Sequence, residues 1–517
     1  MQSPFQRLLE LPRWRVPERY NIAAEVCDAR SRNKLAMIWE DAAGRERRVH
    51  WGELQDLSAR LANYLTGAGV GPGDRVATVL PPHPEAAAAM LAVLRTGAIL
   101  ITMSRLWSAR EIEHRLRDAE PKVLITETGE VDRLDVSLVD STLLLDRFES
   151  SDYSTRFATV ATGPDAPAFI AYTSGTSGPA KGVVIPHRAM LAADEVTYVQ
   201  DLRPDELTFS VGDWAWSYRK IMAPWRVGAV NLGYEQRGRF DPEKMLDVLS
   251  RHAVSNAFIN VTVIRLLMQH PGLGRRYPQM FRVVSTSNER LGVEPFEFFQ
   301  AEFGVPPLEF YGATESFPMI GNSPYLPVKP GSMGQVVPGW HVRILDEDER
   351  ECGVDEVGEV CLRAGSNPNY PLGYWRRPEE TARDFGGSWY HTKDLAYVDA
   401  DGYFWYVSRK DDLIKSAGYR ISPYEVEETL RRHPAVTDAA AIGVPDPTRG
   451  AVVAAFIVVE PRQVPDAELA EELQAWVRSE HSAFGYPRQI RFVSELPRSS
   501  SGKINRAALR RQETPAG

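Results

Sequence analysis

Tyr172-Thr173-Ser174-Gly175-Thr176-Ser177-Gly178-Pro179-Ala180-Lys181-Gly182 joins two apolar runs, Ala168-Phe169-Ile170-Ala171 and Val183-Val184-Ile185. The runs read as strands and the stretch between them as a loop. Its glycines let backbone N–H groups turn toward one point. Thr173, Ser174, Thr176 and Ser177 add hydroxyl donors, and Lys181 adds a mobile positive charge. By composition this is a cradle for a polyphosphate. It is not the P-loop of Walker type, because Lys181 is followed by Gly182 and strand formers, with no Lys-Ser/Thr opening a helix. A plain surface hairpin is the competing reading, since Gly/Ser/Thr clusters are usually loops.

Working outward, the flanks alternate strand and helix. Apolar residues at helical spacing (Leu54, Leu57, Leu61, Leu65) predict a helix over 51–67 that ends at glycine. Strands are predicted over 75–80, 98–103 and 122–126, with helices over 84–96 and 108–119 between them. That is a doubly wound α/β unit. Beyond the loop, a helix over 187–199 leads to helices over 242–250 and 263–270 and strands over 257–260 and 282–285, a second α/β unit. Residues 331–362 change to short strands with Gly/Asp turns, which suggests a small β-barrel. After the polar run Ser408–Asp412 comes a compact α+β module. The domain boundary is expected between 409 and 410, giving domains 1–409 and 410–517.

The 517 residues exceed one core, and 43% hydrophobic with 25% charged residues is ordinary for a soluble globular chain. The net charge of −9 argues against a nucleic-acid binder. Three cysteines, Cys27, Cys352 and Cys361, give neither a disulfide framework nor zinc spacing, so a cytoplasmic location fits. No signal peptide and no membrane span are expected. Nothing in the sequence sets the oligomeric state, and a homo-oligomer stays open.

Four further polar motifs follow in order: Tyr311-Gly312-Ala313-Thr314-Glu315, Tyr390-His391-Thr392-Lys393-Asp394, the run from Arg409 to Arg420, and the run from Pro497 to Arg506. Each alone reads equally as a turn, a cap or a solvated charge run. Together with the opening loop they closely resemble the adenylate-forming superfamily, and the chain is similar to acyl-CoA synthetases of its medium-chain branch. The resemblance implies an N-terminal region of two α/β subdomains plus a small β-barrel, and a small mobile C-terminal α+β domain. It also implies ATP, Mg2+ and CoA as co-substrates beside a carboxylic acid.

Residue by residue, the resemblance implies that Thr173, Ser174, Gly175, Thr176, Ser177, Gly178 and Lys181 cradle the β/γ-phosphates. Glu309, Phe310, Tyr311, Gly312, Ala313 and Thr314 wall the adenine. Thr314 meets the α-phosphate and Glu315 binds Mg2+. Asp394 takes the ribose hydroxyls, with Arg409 in support. Lys503 bridges the attacking carboxylate and the α-phosphate. Rotation about the hinge Asp411 then brings Ala417, Gly418 and Tyr419 to the pantetheine tunnel. Arg420, Arg449 and Arg478 match positions that meet CoA, although solvated arginines are as good a reading of Arg449 and Arg478.

The acyl pocket is expected at Trp214, Trp216, Asn288 and Gly312. Gly312 stands where acetate-specific relatives carry tryptophan, which implies a larger acid, medium-length, branched or ring-bearing, in catabolism or natural-product assembly. Asn288 and Arg290 depart from the family pattern, where a glycine and a small residue or proline are usual. Bulk there could disturb adenylation and leave an enzyme competent mainly in the thioester-forming half. Also open at this point are an enzyme that loads a carrier protein or stops at acyl-AMP, and a degenerate nucleotide-binding protein on the same fold.

Overall fold

The computed structural model describes residues 14–173, 180–216, 218–236, 240–278, 280–416, 419–481, 484–498 and 503–513. It divides into two compact units. One comprises Met1–Thr173, Ala180–His341 and Arg363–Tyr390; the other is built mainly from Val342–Leu362 and His391–Gly517.

In the first unit the expected alternation appears almost residue for residue. The helix Trp51–Gly67 has the predicted limits and buries Leu54, Leu61 and Leu65. The helix Pro84–Arg95 is apolar nearly all round and accordingly buried on every side. Ser108 and Glu111 form a reciprocal capping box that starts the helix Ala109–Ala119. Among the described residues the strands make a seven-stranded and a nine-stranded sheet. In the seven-stranded sheet Arg75–Val79, Ile99–Met103, Val123–Thr126, Ser141–Leu144 and Pro167–Tyr172 run parallel. Gly182–Pro186 then returns antiparallel against Pro167–Tyr172. The opening stretch therefore joins two hydrogen-bonded strands near the sheet margin.

The nine-stranded sheet is parallel through its centre, from Leu35–Glu40 to Pro307–Ala313, and antiparallel at both margins. One expectation needs correction. Residues 187–199 form a 3-10 turn, His187–Ala192, and a π-helical turn, Glu195–Val199, rather than one helix. Val196, Thr197 and Val199 are poor helix formers. Asp194 and Glu195 are also tied elsewhere, accepting from Trp340 and from Arg219 at 3.2 and 2.8 Å.

In the second unit the strands expected around 331–362 join a four-stranded sheet, ordered Val342–Leu345, Gly358–Arg363, Trp389–Val398, Phe404–Arg409. The C-terminal module has the helix Pro423–Arg431 and the three-stranded sheet Val436–Asp446, Gly450–Val459, Gln489–Phe492. A charge ladder runs from a buried Glu427–Arg506 pair out toward the surface. Arg506 donates to Glu427 at 2.6 Å, Arg431 lies between Glu427 (3.6 Å) and Asp438 (2.9 Å), and Arg498 reaches Asp438 at 2.6 Å.

Candidate active site

The neck of the opening loop is pinned. The Thr173 N–H donates to the Lys181 carbonyl at 3.0 Å, and the Lys181 N–H to the Thr173 hydroxyl at 3.2 Å. Ser174, Gly175, Thr176, Ser177 and Gly178 lie outside the described residues. The Lys181 ammonium forms an ion pair with Glu380 at 2.7 Å, has Asp384 at 3.7 Å, and lies 4.4 Å above the centre of the Tyr374 ring. Glu380 and Asp384 sit one helical turn apart on Pro378–Phe385.

Glu315 follows the strand Pro307–Ala313 and is partly buried. Tyr374 donates to it at 3.1 Å, and Tyr390 is hydrogen-bonded to it as well. Burial pushes its pKa up, opposed by its own backbone N–H, the two phenols and Lys181. Phe385 separates the two tyrosines, 5.1 Å from each ring and parallel to Tyr390 within 8°. Thus Lys181 and Glu315, 134 positions apart in sequence, meet through one side chain.

The expected adenine wall, 309–314, is the end of a strand and the turn that leaves it. Phe310 is buried against Phe258 and Phe317. Tyr311, Ala313 and Thr314 are partly exposed. Glu309 is buried, and its carboxylate accepts the Leu291 N–H beside the charge of Arg290. Burial pushes the Glu309 pKa up to about 8. An acid raised in the folded state stabilises it below the ordinary carboxyl pKa, and that contribution is lost as pH rises toward 8. Glu309→Gln is therefore expected to melt progressively higher than the parent between pH 5 and pH 9. A pH-independent difference in melting temperature would place Glu309 in a polar environment instead.

Of the two departures, Arg290 lies beside Glu309 and Asn288 sits in the turn that follows the strand Val283–Thr286. Asn288 adopts φ +83°, the left-handed conformation that glycine takes freely and asparagine tolerates best among other residues, and its side chain is exposed. Gly312 differs from the expectation of open space. A Cβ there would lie 2.5 Å from the Phe317 ring and 2.8 Å from the Ser316 carbonyl. Phe317 fills the room that the glycine releases. The Arg219 guanidinium lies 5.1 Å over the same ring and is paired with buried Glu195. Trp214 is buried in the hydrophobic core, with Gly233 beneath its indole. The Trp216 side chain lies outside the described residues.

In the second unit, antiparallel register places Asp394 opposite Arg409. Asp394 is buried, and its Oδ1 accepts from both Arg409 and Tyr406 at 3.2 Å. Asp411 occupies an exposed turn after the strand Phe404–Arg409. Ala417 and Gly418, like the Arg420 side chain, lie outside the described residues. Tyr419 is 47% exposed and stacks on Phe484, itself 47% exposed, at 4.0 Å. Arg478 lies over Tyr486 at 4.2 Å, and Arg449 sits in the turn Asp446–Gly450, donating its N–H to Asp446. Lys503 is exposed beside the bridge between Arg498 and Ile504.

The sequence reading missed Tyr374, Glu380, Asp384 and Phe317. A signal existed for the acidic pair, whose i, i+4 spacing puts both carboxylates on one helix face. None existed for Tyr374 or Phe317, whose partners are set by sheet pairing and turn geometry.

The fold and these motifs define an AMP-binding enzyme, and the chain belongs to that family: the family model matches residues 24–375, and the model of the AMP-binding enzyme C-terminal domain matches 425–503. The chain is 33% identical to an uncharacterized acyl-CoA ligase, YtcI, of Bacillus subtilis, covering 96% of this chain and 97% of that one. It is also 33% identical to the mitochondrial acyl-coenzyme A synthetase ACSM3 of Rattus norvegicus, over 96% and 91%. Among solved structures it is similar to the anthranilate CoA ligase AuaEII in complex with anthranoyl-AMP, with TM-score 0.87, 26% identity and coverage of 96% and 98%. Among the described residues, no helix is long and apolar enough to cross a membrane, and no group of three or more His, Cys, Asp or Glu side chains is gathered for a metal ion.

Proposed function

We propose that the chain is an acyl-CoA synthetase that activates a carboxylic acid with ATP and transfers it to CoA. The observation that carries this reading is the Glu315 carboxylate joined to Lys181 through Tyr374. In the first half-reaction a carboxylate oxygen attacks the α-phosphorus, the bond to the bridging oxygen breaks, and pyrophosphate leaves. In the second, the CoA thiolate attacks the acyl carbonyl and AMP leaves. Phosphoryl chemistry of this kind needs placed cations and N–H donors more than acids and bases.

Lys181 and the loop it closes hold the leaving pyrophosphate. Glu315 suits Mg2+, which binds through one or two carboxylates plus substrate phosphates and would neutralise charge there. Asp394, oriented by Arg409 and Tyr406, accepts the ribose hydroxyls. Residues 410–517 act as the lid domain that carries Lys503 and turns about Asp411. Tyr419, Arg420, Arg449 and Arg478 then meet CoA. The location is cytoplasmic.

Asn288 keeps the backbone conformation of a glycine, which supports an intact adenylation half. Acid-dependent ATP–pyrophosphate exchange is expected, with AMP release in the presence of CoA across a panel of medium-length, branched and aromatic acids. Exchange without AMP release from free CoA would point to a carrier protein as acceptor. Thioester formation from preformed acyl-AMP without exchange would point to the second half alone.

Phe317, rather than residue 312, sets the acyl size. Phe317→Ala is expected to shift preference toward longer or bulkier acids by about tenfold in kcat/KM, the worth of one to two methylenes in a pocket. An unchanged acid profile would remove Phe317 from the pocket.

A further inference from the structure

We propose that Tyr374 is a positioning residue for adenylation, one side chain that orients Glu315 through its hydroxyl and seats Lys181 on its ring. The inference rests on the roles assigned above to Glu315 and Lys181.

The geometry is built from the backbone outward. Gly373–Tyr374 pairs antiparallel with Gly182–Pro186, placing Gly373 opposite Val184 and Tyr374 opposite Val183. The Trp375 N–H then donates to the Gly182 carbonyl at 2.7 Å, next to Lys181. The register of Tyr374 against the lysine is thus set by main-chain bonds. A side chain at 373, where φ is +122°, would collide with Thr381, whose hydroxyl accepts the Tyr374 N–H at 2.9 Å. Tyr374 is buried, with Phe385 against its ring.

Two groups then converge on this fixed ring. The ammonium of Lys181 lies over its face at 4.4 Å, a cation–π contact that restricts a long flexible chain. Glu380 takes one of the three ammonium donors, which leaves others for a phosphate oxygen. The hydroxyl points at Glu315 and also reaches Asp384. Tyr390 holds Glu315 as a second donor, and Phe385 fixes the spacing between the two phenols. The charge that meets the leaving phosphates and the carboxylate that meets Mg2+ therefore share one support.

A tyrosine that merely fills the core would be replaced by phenylalanine without effect on metal dependence. The test measures equilibrium binding of α,β-methylene-ATP by calorimetry, with Mg2+ and with EDTA, for the parent, Tyr374→Phe, Tyr390→Phe and Glu315→Gln in the full chain. Tyr374→Phe is expected to cut the affinity gained from Mg2+ by about tenfold, the worth of one hydrogen bond to a carboxylate. Its binding in EDTA should stay within about twofold, because the ring still seats Lys181. Tyr390→Phe should lose part of the same gain, and Glu315→Gln nearly all of it.

If Tyr374→Phe keeps the full Mg2+ gain while Glu315→Gln loses it, the inference on Tyr374 is overturned and Glu315 retains its role. If Glu315→Gln also keeps the gain, the assignment of Glu315 itself fails. A melting temperature unchanged in Tyr374→Phe, with the gain reduced, separates positioning from folding.

Discussion

Lys503→Ala is expected to lower the rate of adenylation by about 10³-fold while thioester formation from preformed acyl-AMP changes less than about threefold. The asymmetry follows from charge. In the first half-reaction negative charge concentrates on an attacking carboxylate and a pentavalent phosphorus, and a cation that bridges them acts only in that transition state. Removing a single placed cation at phosphoryl transfer is worth about 10³–10⁵ in rate. The second half-reaction attacks a carbonyl and expels AMP, a step in which the role proposed for Lys503 has no place. The exposed position of Lys503 suits a residue that joins and leaves a site. ATP–pyrophosphate exchange measured beside CoA-dependent consumption of synthetic acyl-AMP gives both rates. If neither moved, Lys503 would have no part in the chemistry.

Glu427→Ala is expected to destabilise the C-terminal module by about 3–5 kcal/mol, the effect of stranding a buried charge. Glu427 is 0% exposed and Arg506 is 7% exposed. The carboxylate accepts from Arg506 and from the Ala441 N–H at 2.8 Å, and Arg431 stands 3.6 Å away. Without it the buried Arg506 guanidinium loses its close carboxylate partner, with Asp412 left 3.9 Å away. Calorimetric or urea unfolding should show the module losing cooperativity first. The double variant Glu427→Leu/Arg506→Met should recover much of the loss, because apolar replacement of a buried pair is often neutral. A single variant as stable as the parent would mean that water reaches the pair.

Much of the fold was legible because its signals are local. Leu54, Leu57, Leu61 and Leu65 mark the helix Trp51–Gly67, and Ser108 marks the start of the next but one. Part of the candidate site's geometry was legible, as in the pairing of Asp394 with Arg409, which lie only one hairpin apart. The geometry was not legible where function depends on a contact between distant residues. Tyr374 reaches Glu315 across 59 positions, and Arg506 reaches Glu427 across 79. Gly312 suggested open space, and a ring five residues on in the chain fills it. Asn288 reads in sequence as added bulk, and only the structure gives its left-handed backbone angle.

The two sets of ion pairs differ in their exposure to dissolved ions. Lys181, Glu380 and Asp384 remain 28%, 30% and 15% exposed, so mobile counter-ions reach them. The Glu427–Arg506 pair at the centre of the C-terminal module is 0% and 7% exposed, where screening is slight. Raising salt from about 0.05 to about 0.5 M should therefore loosen the hold on the phosphate-loop lysine while leaving the C-terminal module intact. Ionic strength becomes a dial that acts on nucleotide affinity well before it acts on the fold, and assays of this enzyme are comparable only at matched salt.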